Sequence, residues 1–170
     1  MAGGGPSPPE GQGHRRRRAD PRGETRGGLG GLIVLDASVA VDRVTAGMTR
    51  AAVDDLLTDE VAVPAHFDAE ALAGIRRALR RRLIDRDRAE LSLLMVARLP
   101  AGRRPLTPML AEAFALRDRF SPGDAFYAVL ARRLGARLLT ADASLARACA
   151  GYVEAVLVRS SRARSNSWMR

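Results

Sequence analysis

Lysine is absent from the 170-residue chain, and cysteine occurs once, as Cys149. The lack of lysine removes three enzyme classes together. A P-loop sets a Lys on the nucleotide phosphates, imine-forming enzymes need a Lys amine, and protein kinases use a strand Lys. A lone thiol excludes an internal disulfide framework and a cysteine-rich zinc site, and it suits a reducing, cytoplasmic setting. The two histidines are His14 and His66. They offer no basis for a His-based hydrolase, and His66, near a helix start, reads as a cap or surface group. No G-x-S-x-G elbow for a serine nucleophile is present. The apolar run nearest the N-terminus, residues 32–35, is far too short for a signal-peptide core or a membrane span.

The chain is long enough to bury a core without staples, and its hydrophobic content of 46% suits a globular middle. The net charge of +9 invites a nucleic-acid reading, but its placement matters. Residues 1–30 carry six Arg against three acids, and residues 159–170 carry four Arg and no acid. The 18 Arg and 16 acids of residues 31–158 leave only +2. One domain over residues 31–158 is expected, with a disordered Gly/Pro/Arg-rich leader at 1–30 and a basic tail at 159–170. Within the domain the positive charge is local, with seven Arg between Arg76 and Arg88. That cluster reads either as a solvated helix face or as a track for an RNA backbone, with Arg77 and Arg81 as its contacts.

Apolar runs at 32–35, 61–63, 137–140 and 153–158 alternate with helical patterns. Helices are expected through about residue 58 and over 66–84, 85–99, 108–119, 122–134 and 144–150. The 66–84 helix shows an apolar stripe of Leu72, Ile75, Leu79 and Leu83. Residues 100–105 read as a loop, and Gly135 as a C-terminal helix stop. Short buried strands separated by helices imply an α/β fold, a three-layer sandwich around a parallel sheet of about four to five strands.

Sites in such sheets form at the carboxyl ends of strands. Asp36 ends the first apolar run, Asp142 lies just past the run at 137–140, and Glu70 and Asp124 fall in first helical turns. Each also has a structural reading. Asp36 and Asp142 can be helix N-caps. Asp124 fits a capping box behind Ser121 and Pro122, and Glu70 a solvated face with Gly74, Arg77 and Arg81. Asp124 strains its structural reading, because it shares a helical face with Tyr127, Ala128 and Ala131. A carboxylate on a packed face is costly unless paired or bound to metal. Clustered carboxylates raise one another's pKa, and oxygen-only donors select a hard cation such as Mg²⁺ or Mn²⁺.

Four segments carry a resemblance. Ile33-Val34-Leu35-Asp36-Ala37-Ser38 is followed by Val63-Pro64 through Glu70 to Ile75-Arg76-Arg77. Asp124-Ala125-Phe126-Tyr127-Ala128-Val129-Leu130-Ala131 and Leu138-Leu139-Thr140-Ala141-Asp142-Ala143-Ser144-Leu145 complete the order. Together, over about residues 32–158, they resemble PIN domains, and among these the VapC-type toxins of toxin–antitoxin pairs. The resemblance implies an endoribonuclease that leaves a 5′-phosphate and a 3′-hydroxyl. Asp36 and Asp124 would bind metal, Glu70 and Asp142 would complete an acidic pocket, and Ser38 and Thr140 would support it. It further implies an RNA substrate, a small antitoxin partner and a homodimer. Two readings compete. An aspartyl-nucleophile phosphatase also begins with a strand ending in Asp, but it needs a second acid where Ser38 stands. A non-catalytic PIN fold that only binds RNA or protein would be favoured by loss of an acidic position, and all four are present.

Overall fold

A computed structural model describes Met1 and residues 31–45 and 60–158. The leader, the basic tail and the helical pattern read beyond residue 45 lie outside the described residues. The elements run β1 (Ile33–Leu35), α1 (Ala37–Thr45), β2 (Val61–Pro64), α2 (Phe67–Arg80), α3 (Arg86–Ala97), β3 (Ala101–Arg104), a 3₁₀ turn (Thr107–Met109), α4 (Leu110–Ala115), α5 (Pro122–Leu134), β4 (Arg137–Thr140), α6 (Ala143–Ala148) and β5 (Ala155–Leu157).

The five strands form one sheet in the order β3-β2-β1-β4-β5, and every pairing is parallel. The central strands β1 and β2 are buried throughout, which explains their unbroken apolar runs. From β1 the chain steps outward to β2 and β3, then returns across the sheet to β4 and β5. Right-handed crossovers then place α1–α3 on one face and α4–α6 on the other. In keeping with this, α1, α2 and α3 pack on one another while α4 packs on α5. The reversal of direction falls between β1 and β4, the crevice where parallel sheets bind ligands.

Three expectations are corrected. Residues 100–105 are not a loop but contain edge strand β3, parallel to β2. Its sequence, Ala-Gly-Arg-Arg, has no apolar run because only alternate residues are half-buried. Arg103 anchors it instead. The guanidinium donates to both carboxylate oxygens of Asp68, at 2.9 and 3.1 Å, and to the carbonyls of Val96, Leu99 and Ala101. The helix expected over 108–119 is shorter, because Leu116 and Arg117 bond three residues back and tighten the last turn.

The stripe on α2 is also displaced. Ile75 is buried, but Leu72, Leu79 and Leu83 are 52%, 37% and 51% exposed. The buried face is Phe67, Ala71, Ile75 and Ala78. Small residues let α2 approach its neighbours closely: a Cβ on Gly74 would meet Val41 Cγ2 of α1 at 2.8 Å. The leucines, being too large for that approach, are left outside.

Helix α5 forms as its sequence dictates. Ser121 caps it in extended backbone, Pro122 takes the first position, and Gly135 ends it in the left-handed region at φ +59°. Tyr127, Ala128, Val129, Leu130 and Ala131 are all buried, and α5 lies against β1, β2 and β4. Among the described residues, no helix is long and apolar enough to cross a membrane.

Candidate active site

Register fixes the first part of the site. Leu35 pairs with Leu139, and the Asp36 amide donates to the Leu139 carbonyl at 2.9 Å, so the ends of β1 and β4 lie side by side. Asp36 is buried. Its Oδ2 accepts hydrogen bonds from Ser38 Oγ at 2.5 Å and from Thr140 Oγ1 at 2.6 Å. Each hydroxyl is itself aimed by an amide arriving at its oxygen. Ala141 N–H donates to Ser38 Oγ at 3.0 Å, and Asp142 N–H to Thr140 Oγ1 at 2.9 Å. The residues after β4 are thereby tied to the start of α1. Charge-assisted bonds of this kind contribute about 1.5–3 kcal/mol each, enough to keep a buried carboxylate in one orientation.

Asp142 is exposed and caps α6, its Oδ1 accepting from the amides of Ser144 and Leu145 at 2.6 and 3.3 Å. Asp124 closes the capping box of α5, with Ser121 Oγ donating to its Oδ2 at 2.7 Å. Burial, and then the charges of Asp36 and Asp142, hold the Asp124 carboxyl above its ordinary value. The Ser121 hydrogen bond and His66 pull the other way. That electrostatic coupling brings Asp36, Asp124 and Asp142 into one field at the sheet crevice.

Glu70 reaches the same place from α2, on the opposite face of the sheet from α5. Its side chain is partly exposed, but it is also bonded. Tyr127 Oη donates to Glu70 Oε2 at 2.7 Å. His66 Nε2 lies 3.5 Å from Oε1, and a Cβ on Gly123 would come within 2.7 Å of Oε1. His66 is also not the cap or surface group its position suggested. It makes no side-chain cap bond, and its ring packs on Phe126 and Tyr127 at centroid distances of 5.5 and 5.1 Å. The contribution of His66, Gly123 and Tyr127 escaped sequence reasoning. A buried Tyr needs a partner for its hydroxyl, and a Gly in a first helical turn suggests close approach. Those were the available signals. Arg77 is exposed on α2, and Arg81 is exposed just past its end.

Among the described residues, no three His, Cys, Asp or Glu side chains converge closely enough to enclose a metal ion. Magnesium does not ask for such a cage: it binds through one or two carboxylates and keeps several waters. The donors here are carboxylates and hydroxyls. Among the described residues, each hydrogen bond that the side chains of Asp36, Asp124 and Asp142 accept falls on a single oxygen, Oδ2, Oδ2 and Oδ1 respectively. The second oxygen of each carries none. The donor chemistry fits a hard divalent cation.

Comparisons with known proteins agree with this architecture. A family model described as PIN domain matches residues 33–151. Ribonuclease VapC12 of Mycobacterium tuberculosis is 38% identical over 128 residues, covering 75% of this chain and 99% of that protein. Ribonuclease VapC3 of the same organism is 36% identical over 118 residues, covering 68% and 86%. Among solved structures, VapBC2 from Rickettsia felis, bound to a DNA fragment from its promoter, aligns with a TM-score of 0.54. It is 13% identical and covers 75% of this chain and 98% of its own. The five-stranded parallel sheet, the strand-end Asp36 and the matched span together establish that the chain belongs to the PIN domain family.

Proposed function

We propose that this chain is a divalent-metal-dependent endoribonuclease and the toxin half of a toxin–antitoxin pair. One observation carries the reading: β1 and β4 end side by side at the crevice, where the buried Asp36 is held in one orientation by Ser38 and Thr140, with Asp124 and Asp142 near enough for their charges to act on one another. A fold gains nothing by collecting like charges in a half-buried place, and a cation relieves the cost.

In this reading Asp36 and Asp124 hold Mg²⁺ or Mn²⁺, which supplies Lewis acidity and an activated water for phosphodiester hydrolysis. Ser38 and Thr140 keep Asp36 in one orientation. Glu70 and Asp142 complete the acidic pocket. Four carboxylates repel a phosphate backbone, so the substrate needs basic contacts outside the pocket. Arg77, exposed on the helix that carries Glu70, and Arg81, exposed just past its end, serve that role.

The relatives' names, VapC ribonucleases, support an RNA substrate, and the pairing in VapBC2 supports an antitoxin partner. An Arg of such a partner, forked onto the carboxylates, would compete with metal and block the site. A homodimer acting in the cytoplasm completes the proposal.

The test is cleavage of cellular RNA by the purified full chain, with end mapping, in Mg²⁺, in Mn²⁺ and in chelator. Induced expression of wild type beside Asp36→Asn gives the cellular arm. Metal-dependent cleavage and growth arrest by wild type alone are expected. Cleavage undiminished by chelator, or equal arrest by both proteins, overturns the reading.

A further inference from the structure

Glu70 is held by a hydrogen bond from Tyr127, with His66 Nε2 beside it at 3.5 Å, and neither is another member of the acidic pocket. The phenol of Tyr127, 1% exposed, donates to Oε2 at 2.7 Å. Tyr127 therefore ties the carboxylate of α2 to α5. On the other oxygen, Oε1 lies over the first turn of α5, where only the missing side chain of Gly123 gives it room. The backbone of Gly123 is not left-handed. Glycine is thus not needed there for conformation, and in a helix it is disfavoured relative to alanine. Its one evident use is the space it leaves beside Asp124.

We propose that Tyr127 and Gly123 are positioning residues that fix Glu70 in the acidic pocket. Tyr127 holds one carboxylate oxygen, and Gly123 leaves the gap into which the other fits. The claim rests on the reading of Glu70 as a working carboxylate of a ribonuclease. Misplacing a catalytic group by about 1 Å costs on the order of 10²-fold in rate.

The two substitutions test this in opposite directions of stability. Tyr127→Phe keeps the ring and removes the hydroxyl. Gly123→Ala favours the helix but pushes on Glu70 Oε1. The expected result is a kcat for RNA cleavage lower by about ten- to a hundredfold in each, with KM little changed. Gly123→Ala should melt no lower than wild type, so its loss of rate cannot come from a loosened fold. Because both act on one carboxylate, the double variant should lose about as much as the worse single variant rather than the product of the two. Crystal structures of both variants read the Glu70 carboxylate directly, whether or not RNA is cleaved. A carboxylate displaced in both supports positioning, and one that stays in place overturns it. Full kcat in both variants, or a multiplicative double loss, overturns it as well. If the wild-type protein cleaves no RNA, the nuclease reading fails, and the crystal structures still decide the positioning.

Discussion

Replacing Thr140 by Val isolates the support of Asp36. Val has nearly the shape of Thr and lacks only the hydroxyl. Thr140 is fully buried, and its Oγ1 donates to the buried Asp36 carboxylate at 2.6 Å while accepting from Asp142 N–H at 2.9 Å. Removing a donor from a charged acceptor costs about 1.5–3 kcal/mol. The orphaned Asp142 amide, aimed at a fully buried side chain, adds to that cost. A loss of about 2–3 kcal/mol follows, or a fall in melting temperature of about 5–12 °C. Thr140→Ser is the control, since it keeps the hydroxyl and loses a methyl, at about 1 kcal/mol. Urea denaturation of both, repeated in an Asp36→Asn background, closes the cycle. With a neutral acceptor the cost of Thr140→Val should drop to about 1 kcal/mol. The reasoning is refuted if Val costs no more than Ser, or if its cost is the same with Asn at position 36.

Asp124→Asn should abolish metal-dependent cleavage while the melting temperature holds or rises, because the charge it removes is one the fold disfavours. Asp142→Asn should leave the fold intact, Asn capping a helix as well as Asp, and should reduce cleavage less than Asp124→Asn does. Burial lifts the Cys149 thiol from 9.0 to about 11, so the unfolded chain ionises first. Stability is then full below pH about 9 and lost as pH rises through about 11, by about 1–2 kcal/mol. Denaturation of wild type and Cys149→Ala across that window should show the difference, and parallel curves would contradict it. Arg103→Lys, which loses the fork onto Asp68, should destabilise by about 1 kcal/mol and speed amide exchange in β3 before other strands.

The parts of the fold legible in the sequence are those that a one-dimensional pattern can carry. Strands β1 and β2 are buried throughout and β4 at alternate residues, so their apolar residues stand out. Strand β3 lies at the sheet edge and is held by a side chain, Arg103, whose partners are 4 to 35 residues away in sequence, apart from Ala101 in the strand itself. No local pattern records that. On α2 the leucines drew the eye, but the face that packs is chosen by what fits, and Ala71, Gly74 and Ala78 fit where leucines do not. The four acids were each visible from their place after a strand or in a first turn. Their surroundings were not. Tyr127 read as a packing neighbour of Asp124, because nothing in the sequence says that Glu70, 57 residues earlier, meets its hydroxyl.

The structural and chemical readings of the acids were set against each other as rivals, and the geometry makes them compatible. A carboxylate has two oxygens. Asp124 completes a capping box through Oδ2, Asp142 caps α6 through Oδ1, and Asp36 is gripped through Oδ2. The capping bond or grip fixes where the remaining oxygen lies, and a fixed position is what a metal ligand or a proton carrier requires. The same division governs how substitutions should be read. Asparagine keeps an oxygen for the cap and removes the charge, so it separates chemistry from folding. Alanine removes both, so a dead alanine variant at Asp124 or Asp142 would leave the two roles confounded.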